Sequence, residues 1–249
     1  MKKCFLAGFT AFCLLVFGCM PAGAEGNEET WWPPGLPKPL NSYLDMSEDL
    51  WHYEAINFLR DRLDLPNDES YDYFCPNKPI PRGVVVQIIA RALHSAEIVN
   101  ILEYNHSGFA DVDDAGLEQK YESDAEHAIA WARESGIIAG YGNGNFGFED
   151  PITREQTAVI LIQLQQYLDI RLEGDQQFTD MDTVSVWAKE AVSTLAANDV
   201  ICGYPDGSFC PKQTVTKAEC AQLIYNFLQT NKIDFGFNWF LRFDYGVHD

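Results

Sequence analysis

The sequence is short of positive charge and contains no closely paired cysteines. Seventeen Lys and Arg residues stand against 37 Asp and Glu residues, which gives a formal net charge of −20. A surface with this charge repels nucleic acid, so nucleic-acid binding is disfavoured. No C-x-x-C pair is present, which argues against a zinc site. The five histidines share no spacing, so the sequence nominates no catalytic group, metal ligand or cofactor.

Long apolar runs are also lacking, except at the start of the chain. Residues 1–24 contain Lys2 and Lys3, a short apolar run and small residues before Glu25, which is typical of a secretory signal. The stretch ending at Cys19 also approximates the lipoprotein pattern, in which that cysteine becomes acylated. Both routes predict an exported protein, and only the lipid route predicts a membrane contact. Removal of the signal takes the formal charge to −22.

Four cysteines remain after processing, and their environment decides their chemistry. An exported chain permits disulfides, and Cys202 and Cys210 bracket a turn closely enough to face each other. The alternative is that the cysteines are small buried apolar residues. We favour this alternative for Cys220, which lies in an apolar helical run.

Two almost identical heptapeptides lie 63 positions apart, GYGNGNF at 140–146 and GYPDGSF at 203–209. Asn, Asp, Pro and Gly are typical of tight turns, and Gly144 and Gly207 suit the left-handed backbone that such turns need. The flanking aromatic residues predict that each turn is pinned onto a core. The alignment continues in both directions, and a weaker copy precedes it. Three repeat units are therefore predicted, at 43–105, 106–172 and 173–230, between a proline-rich acidic linker (25–42) and an aromatic tail (231–249).

Each unit is predicted to form a helix, a turn and a second helix. In the third unit, apolar residues from Trp187 to Leu195 recur at helical spacing and predict a first helix with one buried face. Capping boxes begin the second helices at Thr153 and Thr216, whereas Pro81 replaces the capping residue in the first unit. The second helices are apolar nearly all round, which requires them to be enclosed. We therefore predict a mainly α fold with a central bundle of three second helices.

The repeated pattern resembles the S-layer homology (SLH) domain. The elements F-x-D, W-A, G-I-I-x-G-Y, x-D-G-x-F and I-T-R-x-E carry the resemblance, which extends over 43–230 and is weakest in the first unit. It implies three SLH repeats in a pseudo-threefold arrangement. It also implies a noncatalytic module whose inter-repeat grooves bind cell-wall polysaccharide, such as a peptidoglycan-linked secondary polymer that in many members carries a pyruvylated sugar.

The resemblance also implies which residues bind. Cations would pair with an acid group of the glycan, aspartates would accept sugar hydroxyls or orient the cations, tryptophans would offer aromatic faces, and the turn glycines would line the grooves. These residues are Arg82, Arg154 and Lys217; Asp45, Asp111 and Asp180; Trp51 and Trp187; and Gly144 and Gly207. Each cation follows a helix start, where amide groups favour an anion. The second unit has Asp124 in place of the tryptophan, and Trp131 is expected in the core.

The third unit keeps every element of the pattern, so the groove of Lys217 is expected to bind most strongly. A competing hypothesis is a structural or adaptor protein whose repeats have lost glycan binding. Its protein contacts would then be made through the tail, where Phe235, Phe237 and Trp239 alternate with other residues. The tail is equally well interpreted as a strand-like cover on the bundle. Calcium at Asp111 is disfavoured, because Ala115 occupies a ligand position of the loop template.

Overall fold

The structure is a computed structural model that describes residues 45–63, 73–113, 117, 121 and 124–233. The predicted signal, linker and nearly all of the tail lie outside these ranges. The described part contains seven α-helices and no strand, which confirms a mainly α fold. The helices are α1 (Tyr53–Leu63), α2 (Arg82–Ser95), α3 (Ala110–Asp113), α4 (Ala125–Glu134), α5 (Arg154–Tyr167), α6 (Lys189–Ala197) and α7 (Lys217–Thr230). None of these helices is long and apolar enough to cross a membrane.

The second helices begin where the capping pattern predicts. Thr153 Oγ1 accepts from the Gln156 amide, and the Gln156 side chain accepts from the Thr153 amide. Thr216 and Glu219 make the same reciprocal pair at α7. Pro81 gives α2 no side-chain cap, but its φ of −65° suits a helix start and α2 still forms.

The first two amides of each long helix donate to backbone carbonyls of another predicted unit. This arrangement satisfies donors that a helix start otherwise leaves without an intrahelical partner. The pairs are Arg82 to Asp150 (2.8 Å) and Gly83 to Phe148 (2.8 Å), Arg154 to Gln213 (3.0 Å) and Glu155 to Pro211 (3.1 Å), and Lys217 to Lys78 (2.9 Å) and Ala218 to Pro76 (3.0 Å). The first unit is thus capped by the second, the second by the third, and the third by the first.

A ring of three backbone hydrogen bonds lies beside these caps. The amide of Ile80 donates to Val215, that of Val215 to Ile152, and that of Ile152 to Ile80, at 3.0, 2.8 and 3.3 Å. All three side chains are buried. The segments before the three long helices are therefore joined in a closed cycle, while the pseudo-threefold arrangement of whole units stays a prediction.

Helix packing follows the same order. α2 packs most closely on α4, α5 on α6, and α7 on α1, so each second helix contacts the first helix of another unit. The second helices approach one another less closely than they approach these partners. Residues 82–93 of α2 are buried all round, as its apolar sequence predicts. The predicted central bundle of second helices is not confirmed, because first helices are the closest partners.

Most predicted core residues are buried. Phe146, Phe209 and Trp131 are almost fully inaccessible, as expected. The prediction for the first helix of the third unit is wrong at Trp187, which is 58% exposed. Trp187 lies in a 3-10 turn (Val186–Ala188) before α6, so the α-helical spacing of buried residues does not apply to it. Tyr141 is also largely exposed, so only the phenylalanine of that turn reaches the core.

None of the four described cysteines forms a disulfide. The bridge between Cys202 and Cys210 that their spacing allowed is therefore absent. The Cys210 thiol instead lies 3.4 Å from the Ser208 hydroxyl. Cys220 is fully buried, which confirms its apolar role, and burial together with the charge of Glu219 raises the pKa of its thiol to about 12.

His52 is a buried polar residue in an apolar place. It is 4% exposed, and neither ring nitrogen has a hydrogen-bond partner among the residues that the structure describes. In the repeat alignment, its position is held by Ala125 and Ala188, both fully buried. Burial lowers the pKa of His52, against an opposing effect of the Asp45 charge. The neutral ring is therefore the form that the fold accommodates.

We expect His52 to make the fold sensitive to mild acid. Because its folded-state pKa is below the unfolded value, its neutral form contributes stability above about pH 6.5 that is lost as the pH falls further. His52→Ala should reduce the fall in the free energy of unfolding between pH 7 and pH 5, measured by urea denaturation. An equal fall in both proteins would contradict this assignment.

Candidate functional site

The three predicted aspartates hold the backbone that follows each turn. In each case the two carboxylate oxygens accept from two successive backbone amides, that of a phenylalanine and that of the residue after it. Asp45 accepts from Phe74 (2.9 Å) and Cys75 (2.7 Å), Asp111 from Phe146 (2.7 Å) and Gly147 (2.7 Å), and Asp180 from Phe209 (2.7 Å) and Cys210 (2.8 Å). The same contact thus recurs in all three predicted units, including the weakest.

These contacts give the aspartates a structural role. A carboxylate that accepts several backbone hydrogen bonds orders the loop it binds. Each oxygen retains further acceptor capacity, so a contact with a sugar hydroxyl stays a prediction. The structure does not pair Asp180 or Asp111 with the cation of its own unit.

The two turns lie against the loops that carry the aspartates. Gly144 and Gly207 have φ values of +89° and +83°, which confirms the left-handed backbone that the sequence predicts. The Gly144 carbonyl accepts from the Ala110 amide and the Gly207 carbonyl from the Thr179 amide, at 3.2 and 3.0 Å. Ala110 and Thr179 each immediately precede the aspartate, so turn and aspartate are held together twice.

Arg154 is enclosed at the junction between the second and third units. Its side chain donates to the carbonyls of Phe209 (2.7 Å) and Cys202 (2.9 Å), and its guanidinium lies over the ring of Tyr204 at 4.9 Å. Nη1 also contacts Glu219 Oε1 at 3.3 Å, and the two side chains are 6% and 16% exposed. The charge of Arg154 is therefore compensated within the protein.

Arg82 lies at the corresponding place between the first and second units. Nη2 donates to the Ala139 carbonyl at 2.7 Å, and the guanidinium lies 5.0 Å from the ring centre of Tyr141 and 4.6 Å from that of Phe146. The residue is 9% exposed, and its Nε has no hydrogen-bond partner within the described part of the chain. Among the described residues, no carboxylate forms an ion pair with Arg82. Arg82 thus differs from Arg154 in having neutral partners.

Lys217 occupies the junction between the third and first units. Its ammonium donates to the Phe74 carbonyl at 3.2 Å and lies 5.6 Å from the centre of the Phe74 ring. The residue is partly exposed, whereas both arginines are buried. Solvent, and hence a ligand, can reach this cation most readily.

The helix starts behind the three cations do not offer the anion site that the sequence suggested. Their first amides donate to carbonyls of another unit, as described above. In α5 and α7 the next amide donates to the capping threonine. This part of the prediction was wrong, because tertiary contacts already satisfy the donors. Any ligand must be recognised by side chains.

The tryptophan positions differ between the units. Trp51 and Trp187 are 61% and 58% exposed, so both present an aromatic surface to solvent. In the second unit, Asp124 turns inward and accepts from Gln87 (2.6 Å) and from Arg91 (2.5 and 2.8 Å) of α2. Burial opposes the charge of Asp124, but the hydrogen bond and charge of Arg91 prevail and lower its pKa.

Sequence reasoning missed a polar cluster at the junction of the second and third units. Buried Glu155 accepts from Ser185 and from Lys212, and these three residues are far apart in sequence. The signal at Glu155 was its departure from the Ala-Glu of the repeat pattern. Nothing marked Ser185 or Lys212. In the described ranges, no three His, Cys, Asp or Glu residues are arranged to hold a metal ion.

Comparison with known proteins identifies the family to which this sequence is similar. The family model of the S-layer homology domain matches residues 121–158 and 177–221. The chain is an S-layer homology domain protein. The matched ranges of this SLH protein contain Arg154, Asp180, Trp187 and Lys217, whereas the first predicted unit lies outside them. The third SLH repeat, at 43–105, therefore stays a prediction.

Three curated relatives illustrate where this SLH sequence occurs. The chain is 30% identical to exoglucanase XynX of Acetivibrio thermocellus over 86% of its own length and 19% of the relative's. It is 29% identical to an S-layer protein of Bacillus thuringiensis subsp. finitimus, over 74% and 21% of the two lengths. It is also 29% identical to a cellulosome-anchoring protein of Acetivibrio thermocellus, over 65% and 34%. The chain thus spans only 19% to 34% of the length of these relatives.

We expect Arg154 to stabilise the SLH fold. Arg154→Ala removes one member of a buried ion pair and should lower the free energy of unfolding by about 3 kcal/mol. Exposed Arg171 is the matched control, and Arg171→Ala should change stability by less than about 0.5 kcal/mol. Urea denaturation measures both values, and equal stability of the two variants would contradict the prediction.

Proposed function

We propose that the protein is a noncatalytic cell-envelope anchor that binds an acidic cell-wall polysaccharide at the junctions between its repeats. A pyruvylated secondary polymer of the wall is the glycan that fits the proposal best. The three repeats would form a pseudo-threefold module, with one candidate groove at each junction. The protein would act at the cell surface, reached through cleavage after Ala24 or acylation of Cys19.

The observation that carries the proposal is the placement of a cation at every junction. Arg82, Arg154 and Lys217 each leave the start of a long helix and contact the turn region of another unit. Burial of a charged side chain at a junction costs free energy unless the charge is paired within the protein or binds a ligand. A ligand that repeats along its length, as a polysaccharide does, can contact more than one of these junctions.

The contacts indicate that the three junctions are unequal. Arg154 is buried and paired with Glu219, so it has little capacity for an external acid. Arg82 has neutral partners, but it is buried. Lys217 is partly exposed, so solvent reaches it more readily than it reaches either arginine. We therefore rank Lys217 first, Arg82 second and Arg154 last.

The relatives support an anchoring role. They include an S-layer protein and a cellulosome-anchoring protein. The exoglucanase shares less than a fifth of its own length with this chain. A segment shared by an enzyme and by surface proteins favours attachment rather than catalysis as its function.

Binding to sacculi tests the proposal. We expect the protein to sediment with purified sacculi that carry their attached polymer, and to stay in solution when the polymer has been removed. Retention that ignores the polymer would contradict the proposal. It would favour an adaptor that makes protein or peptidoglycan contacts instead.

A second experiment tests the ranking of the junctions. Lys217→Ala should weaken polymer binding roughly tenfold to a hundredfold, since a charge-assisted hydrogen bond contributes about 1.5 to 3 kcal/mol. The helical circular dichroism should persist, because alanine favours helices and Thr216 still caps α7. Titration calorimetry measures the affinity, and Arg82→Ala should have a smaller effect. A larger effect of Arg82→Ala at equal stability would reverse the ranking.

A further inference from the structure

The turn of the second unit contains the one Asn-Gly pair of the sequence. Asn143 and Gly144 are both exposed to solvent. In such a pair the backbone nitrogen of the glycine can attack the amide carbon of the asparagine side chain, because glycine has no Cβ to hinder the approach. Whether this reaction proceeds in a folded protein depends on the contacts that the two residues make.

The attacking nitrogen of Gly144 is held in place but not occupied. Among the described residues, nothing accepts a hydrogen bond from the Gly144 amide. No atom lies within 4 Å of the position that a Cβ would take, so the space around the glycine is open. The Gly144 carbonyl accepts from the Ala110 amide at 3.2 Å, which fixes the residue against the loop before Asp111.

The side-chain amide of Asn143 is oriented for the attack. Its Oδ1 accepts from the Asn145 amide at 3.0 Å. A side chain that bonds the amide two residues ahead runs alongside the peptide between them, so Cγ lies beside the Gly144 nitrogen. The Asn145 donor also stabilises the negative charge that develops on Oδ1 during the attack. The Tyr141 amide, which donates to the Asn145 carbonyl at 2.9 Å, closes the turn around this arrangement.

The equivalent turn of the third unit is arranged differently. The Gly207 amide donates to the Tyr204 carbonyl at 2.9 Å, so its nitrogen is occupied. Thr179 Cγ2 lies 3.1 Å from the position of a Cβ on Gly207, so the glycine is also more crowded than Gly144. Asp206 accepts from the amide and the hydroxyl of Ser208, and these bonds lower the pKa of its carboxyl. An ionised carboxylate is a poor electrophile, so this turn resists the same attack.

We propose that Asn143 is a site of spontaneous deamidation through a cyclic imide formed with Gly144. The Gly144 nitrogen bonds to Asn143 Cγ, the Cγ–Nδ2 bond breaks, and Nδ2 leaves as ammonia with the proton of the Gly144 amide. Water then opens the imide at either carbonyl and leaves aspartate or isoaspartate at position 143. Solvent water is the sole co-reactant. This inference is independent of the proposed function.

The two products change the turn in different ways. Aspartate adds a negative charge, which the third unit already has at Asp206. Isoaspartate leads the backbone through the side chain and lengthens it, which should displace the Gly144 carbonyl from the Ala110 amide. Ala110 precedes Asp111, whose carboxylate holds the backbone after the turn. Deamidation would therefore act on the loop at the junction of the first and second units.

The rate in the folded chain tests the role of the structure. The full chain and a peptide of residues 137–149 would be incubated in the same neutral buffer. Tandem mass spectrometry follows conversion at Asn143, and an isoaspartyl methyltransferase with labelled S-adenosylmethionine detects isoaspartate. We expect the folded chain to react at least as fast as the peptide, and at least about tenfold faster at Asn143 than at any other described asparagine. A folded chain that reacts about tenfold more slowly than the peptide would overturn the proposal.

A matched variant separates the turn from the dipeptide. Asp206→Asn places the same pair in the third unit, where the Gly207 amide is hydrogen-bonded, and should react about tenfold more slowly than Asn143. In concentrated urea the two sites should react at equal rates. Equal rates in the folded variant, or a difference that persists in urea, would show that the contacts of the turn do not control the reaction. Asn143→Ser should abolish the methyl transfer to the second-unit turn, and transfer that persists there would assign the modification to another residue.

Discussion

The fold depends on a cyclic exchange of backbone hydrogen bonds between the segments of its three predicted units. Ile80, Val215 and Ile152 donate to one another in a ring, and the starts of α2, α5 and α7 are capped by carbonyls of another unit. Backbone donors that are buried without partners are strongly destabilising. Each long helix therefore requires a second repeat for its own start, and no repeat can complete its hydrogen bonds alone.

This exchange also determines where ligands can be recognised. Because helix-start amides are already occupied, the dipole and amides contribute little to a direct anion contact, and side chains must supply the donors. The side chains at these points are Arg82 and Lys217, together with Arg154, whose charge is paired with Glu219. Equivalent positions of the predicted units thus differ in charge environment because their immediate partners differ.

The junctions diverge further through residues outside the repeat pattern. Asp124 and Arg91 form an ion pair at the junction of the first and second units, whereas the junction of the second and third units contains the exposed Trp187 and an ion pair between Lys212 and Glu155. The two arrangements use the same backbone framework. The side chains at one junction can therefore vary without altering the backbone hydrogen bonds that hold the units together.

The sequence alone determined the helix starts at Thr153 and Thr216, the turns at Gly144 and Gly207, and the burial of Trp131, because local hydrogen bonds, backbone angles and apolar spacing specify these features. Tertiary structure decided the rest. It brought the first helices against the second helices of other units, exposed Trp187, occupied the helix amides, and placed Glu155, Ser185 and Lys212 together. These outcomes depend on residues far apart in the chain, whose contacts no local pattern encodes.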